Sequence, residues 1–232
     1  MKKMIHVFLL LIFLITIVTS EESAQFNQIK TNDGVISTET FSMKDNTNYE
    51  VNGQTLTIKG IGRMNDCDMI KSFDSFDPLT IETIVIENSV ESIGRRCFQL
   101  TRNVKSITFN EGIKSIGEGA FYGTKLTQIA FPASLETIKK SAFEMCEKIE
   151  EVSFAEGSSL KTIDIDAFRG CKGMKRFSIP KSYSIVNFDV FEQFEKLEEI
   201  VFEEGHEKYE TKKGMVIDKQ DKTIVFVHME LN

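Results

Sequence analysis

The chain has 232 residues, 41% of them apolar, and a formal net charge of −7. That is enough apolar material for one elongated domain with a continuous core. The acidic balance argues against nucleic acid as a partner, because phosphate recognition runs on Lys and Arg.

From the amino terminus, Lys2-Lys3 precedes an apolar run from Met4 to Val18, and Thr19-Ser20 supplies small residues before Glu21-Glu22. This pattern predicts a secretory signal peptide over residues 1–20, since the run is shorter than the roughly 20 residues of a membrane span. An uncleaved anchor is the alternative. Cleavage would remove Lys2 and Lys3 and no carboxylate, taking the charge from −7 to −9. Residues 21–48 are polar and without a sustained period, which predicts a flexible lead-in. Tyr49-Glu50-Val51 and Thr55-Leu56-Thr57-Ile58 flank Asn52-Gly53, a strong hairpin signal. The hairpin opens an N-terminal cap over 49–80, in which Phe73 and Phe76 are available to cover the end of a core.

Residues 81–196 carry one pattern five times. Phe98, Phe121, Phe143, Phe168 and Phe191 stand 23, 22, 25 and 23 residues apart. Five residues before each are Ile93, Ile116, Ile138, Ile163 and Val186; eight before are Val90, Ile113, Leu135, Leu160 and Tyr183. Further upstream an alternating pair recurs as Ile84 and Ile86, Ile107 and Phe109, Ile129 and Phe131, Val152 and Phe154, Phe177 and Ile179. In the fourth copy the pair is displaced by two residues, beside Gly157-Ser158. A period of this length signals a solenoid whose core is built by stacking. Four residues before each Phe stand Gly94, Gly117, Lys139, Asp164 and Asn187, a column that suggests a turn with unusual backbone angles.

The segments ending in Cys97-Phe98, Ala142-Phe143-Glu144-Met145-Cys146 and Ala167-Phe168-Arg169-Gly170-Cys171 resemble the BspA-like, or treponemal-type, leucine-rich repeat. Gln54 to Asp66 is similar to the segment that precedes such arrays. The resemblance implies a repeat solenoid: a leucine-rich-repeat-like right-handed coil, β-rich with short helical or 3-10 returns, capped by β-hairpins at both ends. It also implies binding at a cell surface, such as adhesion to host matrix or to other microbes. Phe194 and Gly123-Thr124 depart from the pattern, which places Cys three residues after Phe.

Leu197 to Phe202 begins a sixth copy without its Phe, and Gly214 to Ile217 and Thr223 to Val227 predict a closing hairpin, so that 197–232 forms a C-terminal cap. Cys146 and Cys171 occupy one column of adjacent coils. Two readings stay open: a disulfide between the coils, or the small buried apolar residue that the family resemblance implies there. Beyond residue 20 the histidines are His206 and His228, both in the terminal segment without a nearby Ser or Cys, so the chain is read as non-enzymatic. No cofactor or metal is expected either, since Asp66-x-Asp68 and Asp164-x-Asp166 lack a calcium loop.

What the repeat does offer is a display surface. The outward strand positions form one column of Thr83, Ser106, Gln128, Glu151, Arg176 and Glu199, and a second of Val85, Thr108, Ala130, Ser153, Ser178 and Val201. These are the candidate partner-binding residues, and small side chains among them also suit tight coil curvature. A further column, seven residues before each Phe, alternates as Glu91, Lys114, Glu136 and Lys161 before Ser184. The function expected is a secreted or surface-associated interaction module that takes a protein or glycan ligand on host matrix or other cells, without a membrane span once the signal is cleaved. A structural or envelope component acting by self-association comes second, and an exported hydrolase last.

Overall fold

A computed structural model describes residues 47–66, 77–99 and 101–227, together with the backbone of 25–31 and 34–42. The expected signal peptide, Cys67, Phe73, Phe76 and His228 lie outside the described residues. The strands in chain order are β1 (Gln25–Thr31), β2 (Gly34–Ser42), β3 (Thr47–Asn52), β4 (Thr55–Gly60), β5 (Gly62–Arg63), β6 (Thr83–Ile86) and β7 (Val90–Ile93). Then come β8 (Ser106–Phe109), β9 (Ser115–Ile116), β10 (Gln128–Phe131), β11 (Thr137–Ile138), β12 (Glu151–Phe154) and β13 (Thr162–Ile163). The last are β14 (Arg176–Ile179), β15 (Glu199–Phe202), β16 (Tyr209–Lys212), β17 (Met215–Asp218) and β18 (Ile224–Val227).

The chain is a β-solenoid. Each repeat gives a four-residue strand to one side of the coil, and copies one to four add a strand of two to four residues on the other. The long strands lie in two sheets, ordered β1-β2-β3-β4-β6-β8 and β10-β12-β14-β15, and the short ones in a third, β13-β11-β9-β7-β5. Pairing between coils is parallel and keeps the repeat register: Ile84 opposes Ile107, Ile129 opposes Val152, and Phe177 opposes Ile200. Alternation along a strand sends Ile84 and Ile86 fully inside and leaves Thr83 and Val85 half-buried. Burying each such side chain contributes about 1.5–3 kcal/mol, comparable to the cost of about 1–2 kcal/mol for ordering the backbone of a single residue, so a coil needs its whole set of inward columns.

Two ladders of phenylalanine run along the core. Phe98, Phe121, Phe143 and Phe168 stack at centroid distances of 5.0, 5.2 and 5.3 Å, the last two pairs within 8° of parallel. Phe109, Phe131 and Phe154 stack beside them at 5.6 and 5.1 Å. Edge contacts such as Phe109 to Phe121 and Phe131 to Phe143 tie the two ladders together. The first ladder stops short of the repeat pattern. Phe191 is buried, but the ring that joins it to Phe168 is Phe177, edge-on to both at 5.4 and 5.1 Å.

The returns are tight turns rather than helices, apart from a 3-10 turn at Phe188–Val190. They are nevertheless bonded coil to coil, for the N–H groups of Phe98, Phe121 and Phe143 donate to the carbonyls of Ala120, Ala142 and Ala167 at 2.7–2.8 Å. The small residue before each Phe allows that approach.

Two expectations change and a third is extended. Gly94 and Gly117 do not adopt positive φ; a Cβ on Gly117 would stand 2.6 Å from the Gly94 backbone, so glycine is required there by close stacking. Left-handed backbone occurs two residues before Phe instead, at Arg96, Gly119 and Ser141. Within the segment read as a flexible lead-in, β1 and β2 pair with each other and β2 pairs with β3. Val35, Ile36, Thr38 and Thr40 supply the β-branched residues that such a strand favours, under an otherwise polar composition. Finally, β4 is more than half of a capping hairpin. It pairs with β3 around Gly53, and its other edge pairs in parallel with β6, so Leu56 and Ile58 occupy the columns of Ile84 and Ile86.

Candidate interaction face

The twelve outward strand positions form two rows in register. Thr83 opposes Ser106, Gln128 opposes Glu151, and Arg176 stands between Glu151 and Glu199; in the next row Val85 opposes Thr108, Ala130 opposes Ser153, and Ser178 opposes Val201. None of the twelve is buried, and Ser106, Thr108, Gln128, Ala130, Arg176 and Glu199 are exposed. The side chains bond along the ladder: Thr83 and Ser106 hydroxyls lie 3.0 Å apart, and Arg176 reaches Glu199 at 3.4 Å and Glu151 at 3.9 Å. Just outside this face, Lys105 bonds Glu82 at 2.8 Å and Lys175 bonds Glu150 at 2.9 Å.

The face has one interruption and one closed end. Pairing stops between β8 and β10, where the two long-strand sheets meet. The 22-residue spacing from Phe121 to Phe143 is the shortest in the array, and the bond across this joint from Thr127 N–H to Lys105 O is long, at 3.4 Å. Beyond β15 the chain turns into the antiparallel sheet β16-β17-β18. Thr211 Oγ1 donates to Ile200 O, leaving an open cleft between this cap and the last coil that is lined by Arg176, Glu199, Val201, Glu203, Glu210 and Lys213.

The alternating column on the short-strand side is a row of ion pairs. Lys114 reaches Glu91 at 3.3 Å and Lys161 reaches Glu136 at 2.5 Å. Lys161 foremost, with Lys114 on the other side, holds the Glu136 carboxyl below its ordinary range. Stacking of coils therefore turns a sequence period into a charge alternation.

Cys146 and Cys171 are not joined; both are free, buried thiols. Each Sγ donates to a carbonyl one coil earlier, Cys146 to Phe121 O at 3.1 Å and Cys171 to Phe143 O at 3.2 Å. The thiols are thus directed along the stack at backbone acceptors, and burial pushes the Cys146 thiol up to about 11. Thr101 and Thr124 fill the same buried column in the first two copies. Cys97, one residue before its Phe, is disulfide-bonded. His206 is buried in the cap, its ring nitrogens directed at the Tyr209 N–H and the Tyr183 carbonyl. The paired aspartates have basic partners: Asp66 with Arg95 at 3.6 Å and Asp166 with Lys140 at 3.7 Å.

A coil of one long parallel strand and a short return, with a phenylalanine ladder inside, defines a leucine-rich-repeat solenoid. The chain belongs to the BspA type leucine rich repeat region family, whose profile matches residues 69–198 and 157–212 with 6 copies. Two solved structures share the fold. One is a leucine-rich repeat protein from Eubacterium ventriosum, 22% identical, with a TM-score of 0.57 over 78% of this chain and 48% of that one. The other is the pneumococcal vaccine antigen PcpA, 18% identical, with a TM-score of 0.53 over 83% of this chain and 54% of that one. The chain thus spans about half the length of these proteins. No curated protein matches it in sequence. Among the described residues, no helix is long and apolar enough to cross a membrane.

Proposed function

We propose that the chain is a secreted or surface-associated interaction module that binds a protein or glycan ligand along its long-strand face. The observation that carries this reading is the pair of rows from Thr83 to Val201, in register on either side of the β8–β10 joint and exposed or half-buried throughout, the second row having short side chains that let a partner reach the backbone. A surface built by repetition offers the same spacing of polar groups at every coil, which suits an extended or repetitive partner. The fold shared with a vaccine antigen supports a role outside the cell.

The test is capture from host matrix and from neighbouring cells with residues 21–232, comparing the natural chain with the double variant Gln128→Arg, Ser153→Arg. Capture should be lost while the thermal midpoint stays within about 2 °C, because both side chains point outward. Binding that survives these changes but vanishes on deleting residues 21–48 would move the site to the N-terminal segment. Light scattering of the purified chain without any ligand separates out self-association.

A further inference from the structure

Four segments of the C-terminal end meet at one histidine, three of them at its ring and one at its backbone carbonyl. His206 follows β15 and is 1% exposed. Its Nδ1 accepts the Tyr209 N–H at 3.1 Å, which leaves Nε2 as the protonated nitrogen, 3.4 Å from the Tyr183 carbonyl of the last coil. The ring lies edge-on to Phe202 of β15 at 4.9 Å and roughly parallel to Tyr209 of β16 at 5.7 Å. From the turn after β17, Lys219 Nζ donates to the His206 carbonyl at 2.7 Å. The neutral ring in one tautomer therefore satisfies donors and acceptors from the coil and from the cap together.

A second proton has nowhere to go. It would have to sit on Nδ1, where the Tyr209 N–H already points, so the bond that positions β16 would become a clash of two donors. The charged surroundings do not remedy this. Glu203 and Glu207 on its own segment favour the cation, Lys219 opposes it, and burial outweighs them all, holding the imidazole below its ordinary range. Lys208 lies over the Tyr209 ring at 5.1 Å, and the Asp218 carboxylate of β17 is engaged by the Gln220 N–H. Among the described residues, no carboxylate accepts from the His206 ring.

We infer that His206 is an acid-released latch: its protonation detaches the β16-β17-β18 sheet from the last coil and uncovers β15 together with Phe188 and Phe191. Phe226 of β18 is the ring that covers that aromatic pair, at 5.8 and 6.0 Å. The sign follows from linkage. His206 binds a proton less readily in the docked cap than in a solvated one, so its contribution is fully present above about pH 6.5. It is lost as pH falls from there towards the lower value of the docked state. Detachment would also open the cleft beside Glu199 and Val201, lengthening the face assigned above to the partner. That consequence rests on the proposed function, and the latch does not.

Region-resolved hydrogen exchange on the full chain tests it, at about pH 7.5 and about pH 5.5, with rates corrected for intrinsic chemistry. Protection over residues 209–227 should fall by up to about tenfold for each pH unit below the histidine range, while residues 106–163 keep theirs. In His206→Phe, which fills the site without titrating, cap protection should be the same at both values, and His228→Gln should retain the natural response. Cap protection in the natural chain that ignores pH overturns the latch, whatever the variants do. So does an equal pH response in His206→Phe, or a loss spread evenly over the coils.

Discussion

Between Phe98 and Phe168 each ring of the inner ladder rests on its own counterpart one coil away, bonded through a backbone N–H to the next alanine carbonyl. From Phe177 onward that symmetry is gone. Phe177 inserts edge-on, the fifth return becomes a 3-10 turn, the Gly170 N–H goes to the Gln193 side chain, and Phe188, Tyr209 and Phe226, rings without counterparts in the other coils, close the core. In the middle, one residue type works at every coil because its neighbours above and below are copies of itself. The last coil has no copy above it, so water exclusion falls to residues that occur once. Stability and readability are therefore concentrated in the same coils.

The sharpest way to break this contrast is to remove a ring from each region. Phe143→Ala takes away a ring held between two parallel neighbours in coils that cannot close around the gap, and should cost about 3–5 kcal/mol in urea unfolding. Phe191→Ala should cost at least about 1 kcal/mol less, because the turn and cap around it can move into the space. Equal losses would show that the two regions are packed alike.

The column four residues before each Phe sharpens it at intermediate size. Gly117→Ala drives a methyl group into the Gly94 backbone and should cost about 1–3 kcal/mol. Asn187 in the same column is exposed, and its Oδ1 only accepts the Asp189 N–H at 3.1 Å as a cap of the 3-10 turn. Its replacement by Ala should cost about 0.5–1 kcal/mol. If Asn187→Ala proves the more damaging, the column is governed by turn conformation and not by coil-to-coil approach.

The smallest effect is electrostatic. Lys114→Glu places three carboxylates in a row from Glu91 to Glu136, so its unfolding midpoint at low salt should fall below that of the natural chain. Adding Glu91→Lys and Glu136→Lys restores alternation with the opposite sign and should recover the midpoint, with the recovery shrinking as salt is added. At Ser184 the alternation ends, and because the fifth copy adds no strand to that sheet, Ser184→Glu should gain little. A triple variant no better than Lys114→Glu would mean that these exposed charges do not sense one another.

Much of this was legible in the sequence because a solenoid writes its core in columns. Ile84, Ile107 and Ile129, and the four stacked phenylalanines, stand where their period put them, and the charge column was visible from Glu91 to Lys161 for the same reason. What escaped was whatever a column cannot encode. Arg96, Gly119 and Ser141 share left-handed backbone but no residue type, so nothing in their identity marks the turn. Gly94 and Gly117 do share a type, yet for closeness rather than conformation. Phe177 follows the repeat in position and leaves it in orientation. The strands β1 and β2 were hidden by polar composition, because their pairing is antiparallel and lies outside the period. The outward rows could be located but their partner could not, since mixed side chains at regular spacing specify a geometry and not a chemistry.

The two free thiols set a clock. Cys146 and Cys171 have 0% exposure, and burial holds both thiols protonated far above their ordinary range. The thiolate is the form that reacts with electrophiles and oxidants, and here it arises only when a central coil opens. In an oxidising medium these sulfurs stay silent for as long as the stack is closed. The oxidative lifetime of these two thiols is then fixed by how often the middle of the stack comes apart, a property of folding kinetics rather than of sulfur chemistry.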